Sequence, residues 1–117
     1  MGFKVLITDG LEKDGIDIIN AAGEAVNKKG IEAAELLQIV GEYDAMIVRG
    51  RTKVTKEVFE AARNLKAVGR AGVGVDNIDL QAAKEHGVTV VNAPTSTTIA
   101  VAELAFGLML ALVREIP

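Results

Sequence analysis

Lys66-Ala67-Val68-Gly69-Arg70-Ala71-Gly72-Val73-Gly74-Val75-Asp76-Asn77-Ile78-Asp79 is the stretch on which the fold turns. It opens as an apolar strand and breaks into a glycine-rich turn. It then starts a helix with Asp76, Asn77 and Asp79 near the first turn. Gly72 and Gly74 permit a close backbone approach and φ > 0. Arg70, inside the turn, offers a planar fork of donors suited to a carboxylate or a phosphate. Two explanations stand side by side: an anion site at a strand-to-helix junction, and a plain structural β–α turn.

Working outward, apolar strands alternate with helical periodicity. Phe3–Thr8 reads as a strand ending at Asp9-Gly10, and its unbroken Val-Leu-Ile core suits burial on both faces. Leu11, Gly15, Ile18, Ile19 and Ala22 recur at helical spacing. Gly23 is expected to stop that helix. A strand at Glu24-Ala25-Val26 and a turn at Asn27–Gly30 follow. The next helix places Ala33, Leu36, Leu37 and Val40 on one face and leads to the strand Ala45–Val48. Thr55 is placed to cap a helix with Val58, Ala61, Ala62 and Leu65 inward. Beyond the opening stretch come a helix from Asp79 to His86, its C-cap Gly87, and the strand Val88–Asn92. Short turns between alternating elements mark βαβ units and a parallel sheet. The fold class predicted is α/β: a flavodoxin-like, doubly wound, five-stranded parallel sheet of order 2-1-3-4-5, followed by an apolar C-terminal crossover helix.

That last helix, from Thr97 or Thr98 to Arg114, is apolar nearly all round through Leu104, Phe106, Leu108, Met109, Leu110, Leu112 and Val113. Such a helix needs cover on most faces. It is shorter than the roughly 20 apolar residues of a membrane span, and Glu103 interrupts it. A five-stranded domain that already has its helices leaves little room for it, so docking on another domain or chain is expected.

Composition narrows the chemistry. A chain of 117 residues, 50% hydrophobic, suits one domain with an aliphatic core. A net charge of −3 gives no basic face for nucleic acid. The absence of cysteine excludes a disulfide frame, a thiolate metal site and a cysteine nucleophile. A reducing cytoplasm fits, and the N-terminus runs straight into a strand rather than a signal peptide.

A dinucleotide fingerprint would extend Gly72-x-Gly74 with a glycine at 77, where Asn77 stands. Asn92 occupies the strand end where an acidic ribose partner is expected. A phosphoacceptor receiver would want an acidic residue where Arg49 stands, and a flavin phosphate loop would not be the acidic run Asp9–Gly15. What remains at the strand ends is Asp9, Arg49, Arg70 and Asn92. Ligands of open α/β sheets bind there, so Arg49, Arg70 and the backbone N–H groups of Val73 and Gly74 form a candidate anion site. The other explanation makes Arg49 and Arg51 solvated loop charges and pairs Arg70 with a nearby Asp. His86, the one histidine, falls at a helix C-terminus where it suits the dipole. No pair for nucleophilic catalysis and no metal-ligand spacing appears. Thr95-Ser96-Thr97-Thr98 serves as a helix cap or as a polar ligand contact.

Val68–Asp79, Gly87-Val88-Thr89-Val90-Val91-Asn92-Ala93-Pro94 and Val101-Ala102-Glu103-Leu104, with Ile47-Val48-Arg49 and Thr52-Lys53-Val54-Thr55, resemble the D-isomer-specific 2-hydroxyacid dehydrogenases. The resemblance runs over the whole chain. It implies a flavodoxin-like substrate-binding domain at 1–96 and, at 97–117, a crossover and interface helix leading to an NAD-binding Rossmann domain. Arg49 and Arg70 match contacts to a small anionic substrate. Gly72, Val73 and Gly74 match the loop whose backbone holds the substrate carboxylate, with Val73 touching the nicotinamide end of NAD. The segment from Thr98 to Arg114 matches a helix at a homodimer interface. The family's glycine fingerprint and its catalytic Arg, Glu and His would lie beyond Pro117, so no catalytic residue, no metal and no hydride transfer by this chain alone are expected. Where the family often carries Gly-Asn, Ser96-Thr97 stand here. Two other outcomes stay open: a self-associating α/β module without catalysis, and the same domain serving a different 2-hydroxy acid.

Overall fold

Apolar runs form the strands and helical periodicity forms the connections between them. The computed structural model describes residues 3–11, 13–71, 76–93 and 107–108. Its elements are β1 (Phe3–Ile7), α1 (Lys13–Ala22), β2 (Gly23–Asn27), α2 (Ala33–Ile39), a 3-10 turn (Val40–Glu42), β3 (Ala45–Val48), α3 (Lys56–Ala61), β4 (Ala67–Ala71), α4 (Leu80–Glu85) and β5 (Thr89–Ala93). The strands form one sheet in the order β2-β1-β3-β4-β5, all pairs parallel. This is the expected α/β sheet. Its order reverses between β1 and β3, the switch point where the carboxyl ends of strands open a crevice.

Both faces of the sheet are covered, which is why its central strands lack polar alternation. Val5 and Ile7 of β1, Ala45 and Ile47 of β3 and Ala67 of β4 pack on the α1 side with Ile19. Leu6, Met46, Val48 and Val68 face the opposite layer, where Leu36, Val58, Phe59, Ala82 and Ala83 meet them. All four residues of β3 are fully buried. Thr55 caps α3 by accepting from Val58 N at 3.4 Å, and Asp79 caps α4 by accepting from Ala82 N at 3.0 Å. Gly87, at φ +70°, follows the last turn of α4 in the left-handed conformation that ends helices.

Four expectations need correction. Gly23 is no left-handed cap; it is the first residue of β2, paired with Phe3. A Cβ there would lie 2.2 Å from Phe3 O, so glycine is required by the close approach of two backbones. Leu37 does not face the core: it is 41% exposed, while Leu36 and Val40 of the same expected face are buried. α3 stops at Ala61, and Leu65 reaches the core from the following turn. Leu108, expected to help cover another surface, is fully buried in this chain's own α1-side cluster, beside Ile7 and Ile47. The sheet face that α1 leaves open accommodates it. The rest of the predicted helix from Thr98 to Arg114 lies outside the described residues.

Gly23→Ala is expected to destabilise the chain by about 2–3 kcal/mol, at the upper end for overpacking, because only backbone atoms stand in the way. Urea unfolding followed by circular dichroism measures it; an unchanged midpoint would contradict the β1–β2 approach.

Candidate functional site

The loop that leaves β3, residues 49–52, rises from the carboxyl end of a fully buried strand. Its backbone groups have no neighbour in the sheet ladder, and burial makes each unsatisfied group costly. Two side chains meet that demand from opposite sides. Asp9, just beyond β1, takes the donors. Its Oδ2 accepts from Arg49 N at 2.8 Å and Thr52 N at 3.0 Å, and its Oδ1 accepts from the Thr52 hydroxyl at 2.6 Å and Arg51 Nε at 3.0 Å. Only 4% of the Asp9 side chain is exposed.

Asn77 serves the acceptors. Residues 76–79 return from β4 and dock along Val54, which donates to Asn77 O at 2.8 Å while Asp79 N donates to Val54 O at 2.9 Å. This bridge sets Asn77 beneath the loop, 8% exposed. Its Nδ2 donates to Arg49 O and to Thr52 O, each at 2.6 Å. Its Oδ1 accepts from Arg70 Nε, also at 2.6 Å. The amide orientation is chemically forced, since carbonyls only accept and a guanidinium only donates.

The two candidate arginines therefore stand at neighbouring strand ends. Arg70 pairs in register with Val48, the residue before Arg49, and with Asn92 on β5. Its Nη2 lies 3.7 Å from where a Cβ on Gly50 would be, so the side chain reaches across to the β3 loop. Arg49 is half-buried, its own N–H and C=O are both taken, and among the described residues its buried Nε has no hydrogen-bond partner. Arg51 is not a solvated loop charge: Nε binds Asp9, and Nη2 donates to Thr8 O at 3.1 Å and Ile31 O at 2.9 Å. It fastens three loops together.

The structure thus brings Arg49 and Arg70 together through one shared amide. Gly72, Val73 and Gly74 lie outside the described residues. Asp76 and Asn77 precede α4 instead of forming its first turn; Asp79 alone caps it. His86 is the C-cap of α4, where Nδ1 lies 2.9 Å from Ala82 O and the ring stacks on Phe59. Asn77 is the contributor that spacing arguments miss; Asp9 is expected at a strand end, but not its role as acceptor for the β3 loop. A signal existed for Asn77: a side chain rich in hydrogen-bonding capacity stands where the nucleotide motif wants none. A pocket of about 270 Å³ between α2 and α3 has Leu36 and Val58 in its lining, and neither Arg49 nor Arg70 borders it. Among the described residues no cluster of acidic or His side chains fits a metal ion, and no helix is long and apolar enough to cross a membrane.

Comparison with known proteins decides the family. Residues 5–112 match the model of the D-isomer specific 2-hydroxyacid dehydrogenase catalytic domain. The chain belongs to that family. It is 52% identical over 114 residues to a D-3-phosphoglycerate dehydrogenase of Methanocaldococcus jannaschii, covering 97% of this chain and 22% of the relative. It is 44% identical to a hydroxypyruvate reductase of Thermotoga maritima, covering 97% of this chain and 38% of that one. A crystal structure of a Pyrococcus horikoshii OT3 protein superposes with a TM-score of 0.77 at 30% identity, over 99% of this chain and 35% of the other. The chain spans 22% of the length of the archaeal phosphoglycerate dehydrogenase.

Burial pushes the Asp9 carboxyl up, but the Thr52 hydroxyl, the Thr52 and Arg49 amides and the Arg51 charge outweigh it, and the net shift is downward. A depressed carboxyl contributes stability above its unfolded value, near 3.9, that is lost as pH falls through the folded value. Asp9→Asn is expected to cost roughly 2 kcal/mol at pH 7 through the lost charge-assisted bonds. The gap to the parent chain should narrow below about pH 4. Urea unfolding at a series of pH values tests this, and a gap that widens toward acid would contradict the assignment.

Proposed function

We propose that this chain is the substrate-binding side of an NAD-dependent D-3-phosphoglycerate dehydrogenase, whose parent protein oxidises 3-phosphoglycerate to 3-phosphohydroxypyruvate in serine biosynthesis. The observation that carries it is the arginine pair at adjacent strand ends, Arg70 held by its guanidinium and Arg49 by its backbone carbonyl to one buried amide, with Arg49 Nε buried and, among the described residues, without a hydrogen-bond partner. An orphaned buried donor calls for an explanation, and an acidic ligand drawn to this guanidinium provides one. 3-Phosphoglycerate carries a phosphate and a carboxylate, both suited to arginine. Phosphoglycerate dehydrogenases at 52%, 49% and 50% identity support the substrate.

In this proposal the chain holds the substrate's anionic groups, and NAD accepts hydride in the parent enzyme. The described residues offer the dinucleotide no phosphate cradle. α4 is only six residues long, and its N-terminus is capped by the Asp79 carboxylate, which repels phosphate. The cofactor's phosphates are assigned to a Rossmann domain of the parent, and the contact of Val73 with the nicotinamide end stays part of the proposal. So do the anion-binding roles of Gly72, Val73 and Gly74, a cytoplasmic location, and a homodimer through the helix from Thr98 to Arg114.

The hydroxypyruvate reductase relative makes an unphosphorylated acid the competing substrate class. Titration calorimetry on the 117-residue chain is expected to show binding of 3-phosphoglycerate in preference to glycerate. Arg49→Ala and Arg70→Ala should each weaken it about tenfold or more, as loss of a charge-assisted contact does. The chain alone should form no NADH from 3-phosphoglycerate and NAD. Equal binding of the two acids, or none by 3-phosphoglycerate, would overturn the substrate; NADH production would overturn the division of labour.

A further inference from the structure

We infer that Asn77 is the positioning residue of the arginine site, setting where both Arg49 and Arg70 stand before ligand arrives. This rests on the proposal that the pair receives an anion, but its structural half is independent of it. Three bonds at 2.6 Å converge on one amide: two from its Nδ2 to the carbonyls of Arg49 and Thr52, one to its Oδ1 from Arg70. The carbonyl of Arg49 and the side chain of Arg70 are thereby fixed to opposite ends of the same small planar group. Asp9 holds the N–H of Arg49 from the other side. Arg49 thus leaves a backbone anchored both before and after its Cα.

No other small residue does this. Aspartate matches the shape of asparagine and still accepts from Arg70, but its second oxygen would face two carbonyl oxygens and repel them. It would also cancel the charge that an anion site needs. Alanine or glycine loses all three bonds. Asparagine is neutral, so it orients Arg70 without neutralising it. Prior ordering of long side chains lowers the entropy cost of binding, which is how a group touching no ligand raises affinity.

Asn77→Ala and Asn77→Asp separate the parts. In the 117-residue chain, labelled with ¹⁵N, the Nε–H resonance of Arg70 is expected to be slow to exchange and rigid. Asn77→Ala should lose that rigidity and speed amide exchange in the loop at Arg49 and Thr52. Asn77→Asp should keep Arg70 Nε–H ordered while the loop still loosens. Affinity for 3-phosphoglycerate should fall about tenfold in Asn77→Ala, the ordering cost of one or two side chains. An unchanged Arg70 Nε–H in a folded Asn77→Ala chain would overturn the inference. So would unchanged affinity in a variant whose Arg70 has become mobile. If Asn77→Ala does not fold, Asn77→Asp decides: an unaltered loop overturns the inference, and a loosened loop with ordered Arg70 supports it. If the parent chain binds no 3-phosphoglycerate, the functional proposal falls, and Asn77 as the residue that positions the arginines is judged by the Nε–H and amide exchange alone.

Discussion

A loop that leaves the carboxyl end of a buried parallel strand carries backbone donors and acceptors that the sheet cannot satisfy. The site in this chain is built on that constraint. Water cannot serve those groups well at a fully buried strand end, so side chains must, and they must be of complementary kinds. Asp9 only accepts, so it takes the N–H groups of Arg49 and Thr52. Asn77 gives its two donors to their carbonyls. The loop is held between an acceptor from the end of β1 and an amide from the segment after β4. Each held group is one fewer uncompensated polar burial, a saving of about 1–3 kcal/mol apiece. Stability and site geometry therefore share the same bonds.

The switch point explains why these partners are available. β1 and β3 are neighbours in the sheet but not in the sequence, with β2 at the edge. Asp9 lies forty residues from Arg49 along the chain and adjacent to it in space. The parallel register Ile7↔Ile47 places residue 9 level with residue 49. On the other side, Val48 is level with Arg70. Three consecutive strand ends thus deliver a carboxylate, a loop and a guanidinium to one line. Arg51 then ties Asp9 to the loops after β1 and β2.

The sheet was legible in the sequence because its signal is one-dimensional. Val5-Leu6-Ile7 and Ala45–Val48 are apolar without alternation, which only strands buried on both faces tolerate. The order 2-1-3-4-5 followed from alternation of elements and short turns. Gly23 and Leu37 were misjudged for local reasons. A glycine after a helix suggests a left-handed cap, yet here the demand came from Phe3 in the partner strand. Leu37 sits at the margin of the expected helical stripe, and in a two-turn helix the buried face narrows to Leu36. Arg49 and Arg70 are legible as strand-end residues because charge at a strand end is conspicuous, and the structure places them at neighbouring strand ends. Asn77 was noticed only as a missing glycine. Its role depends on three partners at separations of 7, 25 and 28 residues, which no spacing rule joins.

The choice of a neutral hub has an electrostatic consequence. The chain is acidic overall, at −3, so the anion site proposed for it would depend on positive charge supplied locally. Asp9, the carboxylate that follows β1, has a buried side chain, accepts four hydrogen bonds and faces Arg51. Its charge is balanced by Arg51 and by the donors of the loop, the Arg49 amide among them. Asn77 contributes direction and no charge. A second carboxylate at 77 would satisfy Arg70 equally well in the folded state and leave less attraction for an incoming anion. Among the described residues Arg49 Nε is buried with no hydrogen-bond partner, which is what the anion-site proposal rests on. An unmet donor costs folding stability, and in the proposed function the compensating acceptor is the ligand.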